Sequence, residues 1–335
     1  MAARKRRLLA AMAERRLDGM LLFAQESDYW LTGYDSFGFC FFQCLYVGSD
    51  GRVALLTRAP DLRQAQRTSS IADLRVWKDA EGADPTRDLK AMLVDLGVRG
   101  RLGVEFDSYG LTHFNGLRLQ ATLAGFAELV DASTLIPSLR TTKSDEELAY
   151  VREAARLSDL ADRAALEATG AGADEGEILA AMHAAIFAAG GDYPGNEFII
   201  GSGADALLCR YKSGRRKLSA DDQLTLEFAG VSRHYHAAIM RTHVVGRPKP
   251  QHVAYHAAAR ERFWPAKPNC VPAAPPAKFS TPTRGCSTPT AWRATGSTPA
   301  VIRSAPSSRR HGWICRCSTS VTPSSSGRDR STFST

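Results

Sequence analysis

The chain has 335 residues, 23% of them charged and 44% hydrophobic, with a formal net charge of +8. That length supports about two domains with buried cores, and no run approaches the ~18 unbroken apolar residues of a membrane helix. The positive charge belongs to one end: residues 262–335 hold 11 Lys and Arg and one acid, Asp329, whereas residues 1–261 carry 32 bases and 34 acids, so the basic balance is no footprint of a nucleic-acid-binding face.

Residues 4–17 have the spacing of an amphipathic helix, and Glu14, Arg15 and Arg16 interrupt the start before a signal-type apolar run forms, which predicts a cytoplasmic protein. "GMLLF", "CLYVGSDGRVALLT", "LRVW" and "RLGVEF" then read as strands, with helical spacing in "TRDLKAMLVDLGV" and "THFNGLRLQATLAGF". Strand alternating with helix predicts an α/β layer domain over residues 1–135. The character changes at "TTKSDEELAYV", where Ser144 and Glu147 form a capping box that starts a helix running to about Ala168. A second helix is expected over about Glu175–Ala189, closed by Gly190 and Gly191. "NEFIIGSG", "QLTLEFAGV" and "RHYHAAIMRTHVVG" follow as antiparallel strands, and "HVAYHAAARERFW" begins another helix. Helices followed by strands predict a second, α+β domain over residues 136–261.

Residues 262–335 contain no Leu and 33 Ser, Thr or Pro, the composition of a disordered tail. A codon argument adds a sharper expectation. Read one nucleotide back from Arg262, the tail re-reads as a helix, a loop and strands, including "GHRLNACGYSLG", so a frameshift near that codon is expected to leave the second domain incomplete. Four of the seven cysteines lie in this tail, and neither a disulfide framework nor a metal-type repeat is visible; the Cys315, Cys317 pair alone is weak support for a metal site.

The stretch with most chemistry is "LTLEFAGVSRHYHAAIMRTHVVG", residues 224–246. Period two puts Thr225, Glu227 and Ala229 on one face of its first strand, and His234, His236, Ala238 and Met240 on one face of its second. A carboxylate half-buried on a strand is suited to proton transfer, although an acid there is often only solvent-facing. "LIPSLRTTKSDEELAYVREAARLSDLA", "FIIGSGADALLCRY" and this stretch together resemble the creatinase/prolidase superfamily, the pita-bread fold of Xaa-Pro peptidases, creatinase and ectoine hydrolase. The resemblance covers about residues 15–261. It implies an α/β creatinase-type N-terminal domain, an α+β pita-bread catalytic domain that this chain only half supplies, and a homodimer acting on a small-molecule or dipeptide-like substrate, with neither nucleic acid nor membrane as a partner.

In the metallopeptidases of that superfamily, two aspartates eleven residues apart help hold a pair of divalent metals that activates a bridging water. Glu227 matches the first position and Ala238 the second, and a methyl group ligates no metal. Arg210 stands where the family often has a histidine, and the re-read "GYSLG" lacks another. The resemblance is therefore to the metal-free branch, above all ectoine hydrolase: no cofactor, and hydrolysis of a C–N bond in a small solute. Glu227 is expected as nucleophile or acid/base, and His236 as proton shuttle or satisfied core histidine. Arg210 is a candidate anchor for a substrate carboxylate, Arg241 of the family's "RT" a substrate contact or buttress, and His234 a substrate contact nearer the turn and exposed. Two alternatives stay open: a metal-dependent Xaa-Pro aminopeptidase or dipeptidase with a Mn, Co or Zn pair, and a non-catalytic pseudoenzyme or truncated frameshift product.

Overall fold

The computed structural model describes residues 1–207 and 215–263; Arg210, the Cys315, Cys317 pair and the re-read tail lie outside them. The chain divides into two compact units. The first is Met1–Glu153 with the short stretch Ser232–His236, and the second includes Ala154–Val231 and the described residues from Ala237 onward.

In the first unit the elements run α1 (Ala2–Glu14), β1 (Gly19–Leu22), α2 (Gln25–Thr32), β2 (Cys44–Gly48), β3 (Val53–Arg58), α3 (Leu62–Thr68), β4 (Asp73–Trp77), α4 (Pro85–Asp95), β5 (Arg101–Val104), α5 (His113–Leu123), β6 (Glu128–Asp131) and α6 (Leu135–Arg140). They build a six-stranded sheet of order β4-β3-β2-β1-β5-β6. β2 is antiparallel to both its neighbours, and the outer pairs are parallel. Period two sorts the apolar residues onto two faces. Leu21, Tyr46, Leu56 and Val104 pack with Leu89 and Leu93 of α4 and Leu119 of α5. Met20, Leu22, Leu45 and Leu55 pack on the other side with Leu8 and Met12 of α1, Trp30 of α2 and Ile136 of α6. β1, β2, β3 and β5 are largely apolar because both faces are covered there.

Local chemistry sets the helix ends. Asp84 caps α4 by accepting the Thr86 amide at 3.1 Å, with Pro85 in the first turn. α2 ends on Gly33 at φ 79°, where an L side chain would be strained. The apolar pattern does not announce α2 or β6. The buried face of α2 includes Glu26, Ser27, Asp28 and Thr32, and β6 has no fully buried residue.

α7 (Asp145–Ala168) opens with the expected capping box: the Glu147 carboxylate accepts the Ser144 amide at 2.8 Å, and the Ser144 hydroxyl accepts the Glu147 amide at 3.3 Å. The division between the units falls within this helix. There follow α8 (Glu175–Ala188), β7 (Ile199–Ser202), β8 (Gln223–Ser232), β9 (Tyr235–Val244) and α9 (Pro250–Phe263), with a three-stranded sheet of order β7-β8-β9. In the second unit Ala161 and Ala165 of α7 and Ile178, Met182 and Ile186 of α8 form a core with Phe198, Ile200, Leu224, Leu226 and Phe228.

Candidate active site

Which face of the β7-β8-β9 sheet is open follows from the core. Leu224, Leu226 and Phe228 of β8 are buried against the helices, and Ile239 of β9 packs against the same cluster. Alternation therefore places Thr225 and Glu227 of β8, and Ala238 and Met240 of β9, on the opposite face. Glu227 is half-buried there and lies opposite Ile199 of β7 in an antiparallel ladder. Ala238 and Met240 are exposed. The carboxylate thus has a methyl and a thioether on its face of the neighbouring strand.

α7 lies beneath the hairpin and fixes it through main-chain contacts. The fully buried Ser158 hydroxyl accepts the Gly230 amide at 2.7 Å and donates to the Ala237 carbonyl at 2.6 Å, so one side chain binds both strands. Gly230 lies so close to the helix backbone that a Cβ would collide with the Ala154 carbonyl and the Ser158 amide. One turn further along α7, the Asp162 carboxylate meets His243 Nε2 at 3.2 Å and Arg241 Nε at 3.4 Å.

These contacts bear on the placement of Arg241 and His234. Arg241 shares its face with Ile239 and His243 and is held by Asp162, so it braces the hairpin from the side opposite Glu227; it is not placed as a substrate contact on the Glu227 face. His234 is not on the β9 face at all, because the strand begins at Tyr235. It forms a two-residue turn with Arg233, at φ 64° and 49°, the left-handed geometry that matches strand twist but costs non-glycine residues of order 1 kcal/mol each. Nor is its side chain exposed: it is 25% accessible, with Nε2 2.9 Å from Asp35 and its ring edge-on to Tyr29 at 4.8 Å.

Tyr235 is anchored within the first unit as well. Its hydroxyl donates to Glu147 at 2.7 Å, on the oxygen that also accepts Trp30 Nε1 at 2.9 Å and faces Arg4 at 3.5 Å. Burial opposes ionisation of Glu147, but the Ser144 amide, the Tyr235 hydroxyl and Arg4 together hold its carboxyl below the usual range. Burial and this acceptor push the Tyr235 phenol up. His236 is buried, with Nδ1 3.0 Å from the His234 carbonyl. A carbonyl only accepts, so at this contact Nδ1 is the donor. Ser158, Asp162 and Tyr235 escaped the sequence reading, as did the second role of Glu147. Only Glu147 carried a signal, as the capping-box acid.

A pair of divalent metals needs several hard oxygen ligands at fixed separation. On the open face, β8 and β9 supply one carboxylate, Glu227, and among the described residues no three His, Cys, Asp or Glu side chains are grouped to hold a metal ion. Glu227 by itself is not the ligand set of a metal pair.

The two units define a class: an α/β layer domain followed by the helix pair and hairpin of a pita-bread domain. Comparison with known proteins divides the chain in the same way. The Creatinase/Prolidase N-terminal domain matches residues 4–142, and Metallopeptidase family M24 matches residues 149–266. The chain belongs to the creatinase/prolidase superfamily. It is 26% identical over 281 residues to the ectoine hydrolase of Halomonas elongata, an alignment covering 78% of this chain and 69% of that one. It is 24% identical over 250 residues to the Xaa-Pro dipeptidase of Pyrococcus furiosus, covering 74% and 66%. The chain thus spans about two thirds of the length of these relatives. Among solved structures, the prolidase of Thermococcus sibiricus superposes with a TM-score of 0.74 at 18% identity, covering 84% of this chain and 76% of that one. The Xaa-Pro dipeptidase of Bacillus anthracis gives 0.70 at 21% identity, with the same coverage. These two likenesses establish the fold.

Proposed function

We propose that the chain is the larger part of a metal-independent hydrolase that opens a C–N bond in a small, compact solute, with Glu227 as the nucleophile or acid/base. The observation that carries this reading is the open sheet face, where Glu227 stands with Ala238 and Met240 in place of further oxygen ligands. Hydrolysis adds the hydroxyl of water to carbon and a proton to nitrogen. A carboxylate at the reacting bond takes the proton from water and returns it to the leaving nitrogen. His236 is the candidate second proton carrier, and Arg210 the candidate anchor for a substrate carboxylate. The similarity to an ectoine hydrolase supports the substrate class. The similarity to Xaa-Pro dipeptidases keeps the metal-dependent reading as the competing outcome.

We further propose that residues 262–335 arise from a shifted reading frame, and that the frame-restored protein is a cytoplasmic homodimer. Sequencing the coding DNA across Arg262 tests the first point. The frame-restored protein is then assayed on ectoine-like cyclic amidines and Xaa-Pro dipeptides, with and without chelator. Glu227→Gln should lower turnover by about 10²-fold or more with an unchanged circular dichroism spectrum. Chelator-sensitive dipeptide cleavage, or full activity in Glu227→Gln, would overturn the proposal.

A further inference from the structure

The first unit contains a second acidic site, unrelated to the hairpin. Three carboxyls lie buried at the N-terminal half of α2: Glu26, Asp28 and Glu105, at 6%, 4% and 3% exposure. Two of them are satisfied. Glu105 accepts the Phe23 and Ala24 amides at 3.0 and 2.9 Å and the Ser27 hydroxyl at 2.5 Å, and Glu26 accepts the Tyr109 hydroxyl at 2.9 Å. Asp28 is different, because its Oδ1 is buried without a hydrogen-bond partner. A buried carboxylate oxygen left in this state is costly unless something neutralises it.

Asp28 also lines a cavity of about 10 Å³, walled by the polar side chains of Tyr34, Ser36 and Gln43 and by the rings of Phe23 and Phe41. That volume is at the threshold for one water-sized body. The Tyr34 and Ser36 hydroxyls are neutral oxygens: Tyr34 donates its proton to Gln43 Oε1 at 2.6 Å and keeps its lone pairs, and Ser36 Oγ accepts the Gly38 amide at 2.9 Å with a lone pair to spare, whereas Gln43 Oε1 already accepts the Tyr34 and Thr57 hydroxyls. Arg58 lies over the Phe41 ring at 3.2 Å, but its guanidinium is engaged by Asp61 and Asp79.

We propose that this cavity holds one water-sized monovalent cation, of the sodium, potassium or ammonium class, bound by the Asp28 carboxylate. Charge and ligand count favour a single positive charge. One carboxylate with a few neutral oxygens matches it, whereas a divalent ion needs six or more oxygens, several of them charged. Such a cation would also stabilise the unit by mass action, since the unfolded chain has no such site.

The test is thermal unfolding of the full chain at pH 8 in sodium, potassium, ammonium or N-methylglucamine chloride at one fixed ionic strength. At least one of the three small cations should raise the transition of the first unit by about 2 °C or more over N-methylglucamine, and Asp28→Asn should abolish the difference. Equal transitions in all four salts, or an undiminished difference in Asp28→Asn, would overturn the proposal. Should Asp28→Asn fail to fold, wild-type crystals soaked in rubidium chloride decide: an anomalous peak beside Asp28 Oδ1 supports the site, and its absence refutes it.

Discussion

Glu105→Gln isolates the charge of one buried group from its hydrogen bonds. Burial pushes the Glu105 carboxyl up to about 7 from an ordinary 4.5; the Ser27 hydroxyl and the Ala24 and Phe23 amides oppose the rise, and the neighbouring Glu26 charge adds to it. A raised carboxyl keeps its proton in the folded state over a range where the unfolded chain has released it. Stability therefore falls as pH climbs from about 4.5 to about 7 and levels off above, with a loss of about 3 kcal/mol from this group. The amide of Gln cannot ionise, yet its oxygen still accepts the Phe23 and Ala24 amides, and its nitrogen donates to the Ser27 hydroxyl. Urea unfolding at pH 5 and pH 8, followed through the buried Trp30 and Trp77 of the first unit, gives the comparison. Wild type should lose about 2–3 kcal/mol between the two pH values, and Glu105→Gln should lose clearly less. An equal loss in both proteins would refute the argument that burial of the Glu105 charge controls the slope.

Other expectations concern the hairpin. Ser158→Ala leaves the Gly230 amide and the Ala237 carbonyl without this partner and should cost about 1–3 kcal/mol in denaturant unfolding. Gly230→Ala should cost more, about 3 kcal/mol or above, because the methyl meets helix backbone that cannot rotate away; a smaller loss would show that α7 moves aside. Tyr235→Phe removes a hydrogen bond to a carboxylate and should cost about 1.5–3 kcal/mol, and a double-mutant cycle with Glu147→Gln should show strong coupling between the two positions.

How much of this was legible in the sequence depended on the range of the interaction. The capping box at Ser144 and Glu147 is a contact between residues three apart, and the sequence announces it. The other oxygen of Glu147 serves Trp30 and Tyr235, 117 and 88 residues distant, and no local pattern encodes that. The apolar runs of β1, β2, β3 and β5 were plain because both sheet faces are covered, whereas α2 buries acids and hydroxyls that read as surface. Period two puts Glu227 and Ala238 on one face, and the packing of Leu226, Phe228 and Ile239 in the core accords with it. It misplaced His234, because alternation says nothing of where a strand stops, and two positive φ angles at non-glycine residues are written in tertiary contacts with Asp35 and Tyr29. Arg241 was read from its motif as a substrate contact or a buttress, and the motif does not choose between them. Counting from Ile239, whose packing direction only the structure reveals, turns the arginine toward Asp162.

The absence of a side chain at Gly230 has a consequence for how this hairpin can drift over time. Where two elements meet through interlocking side chains, each exchange of a core residue shifts their spacing a little. Here backbone lies on backbone, with one hydroxyl joining them, and Glu227 is three residues along the same strand. The height of the carboxylate above α7 is therefore set by peptide dimensions, which substitution does not alter. The core beside it, with Leu226 and Phe228 against Ala161 and Ala165, can exchange residues only around that one fixed point.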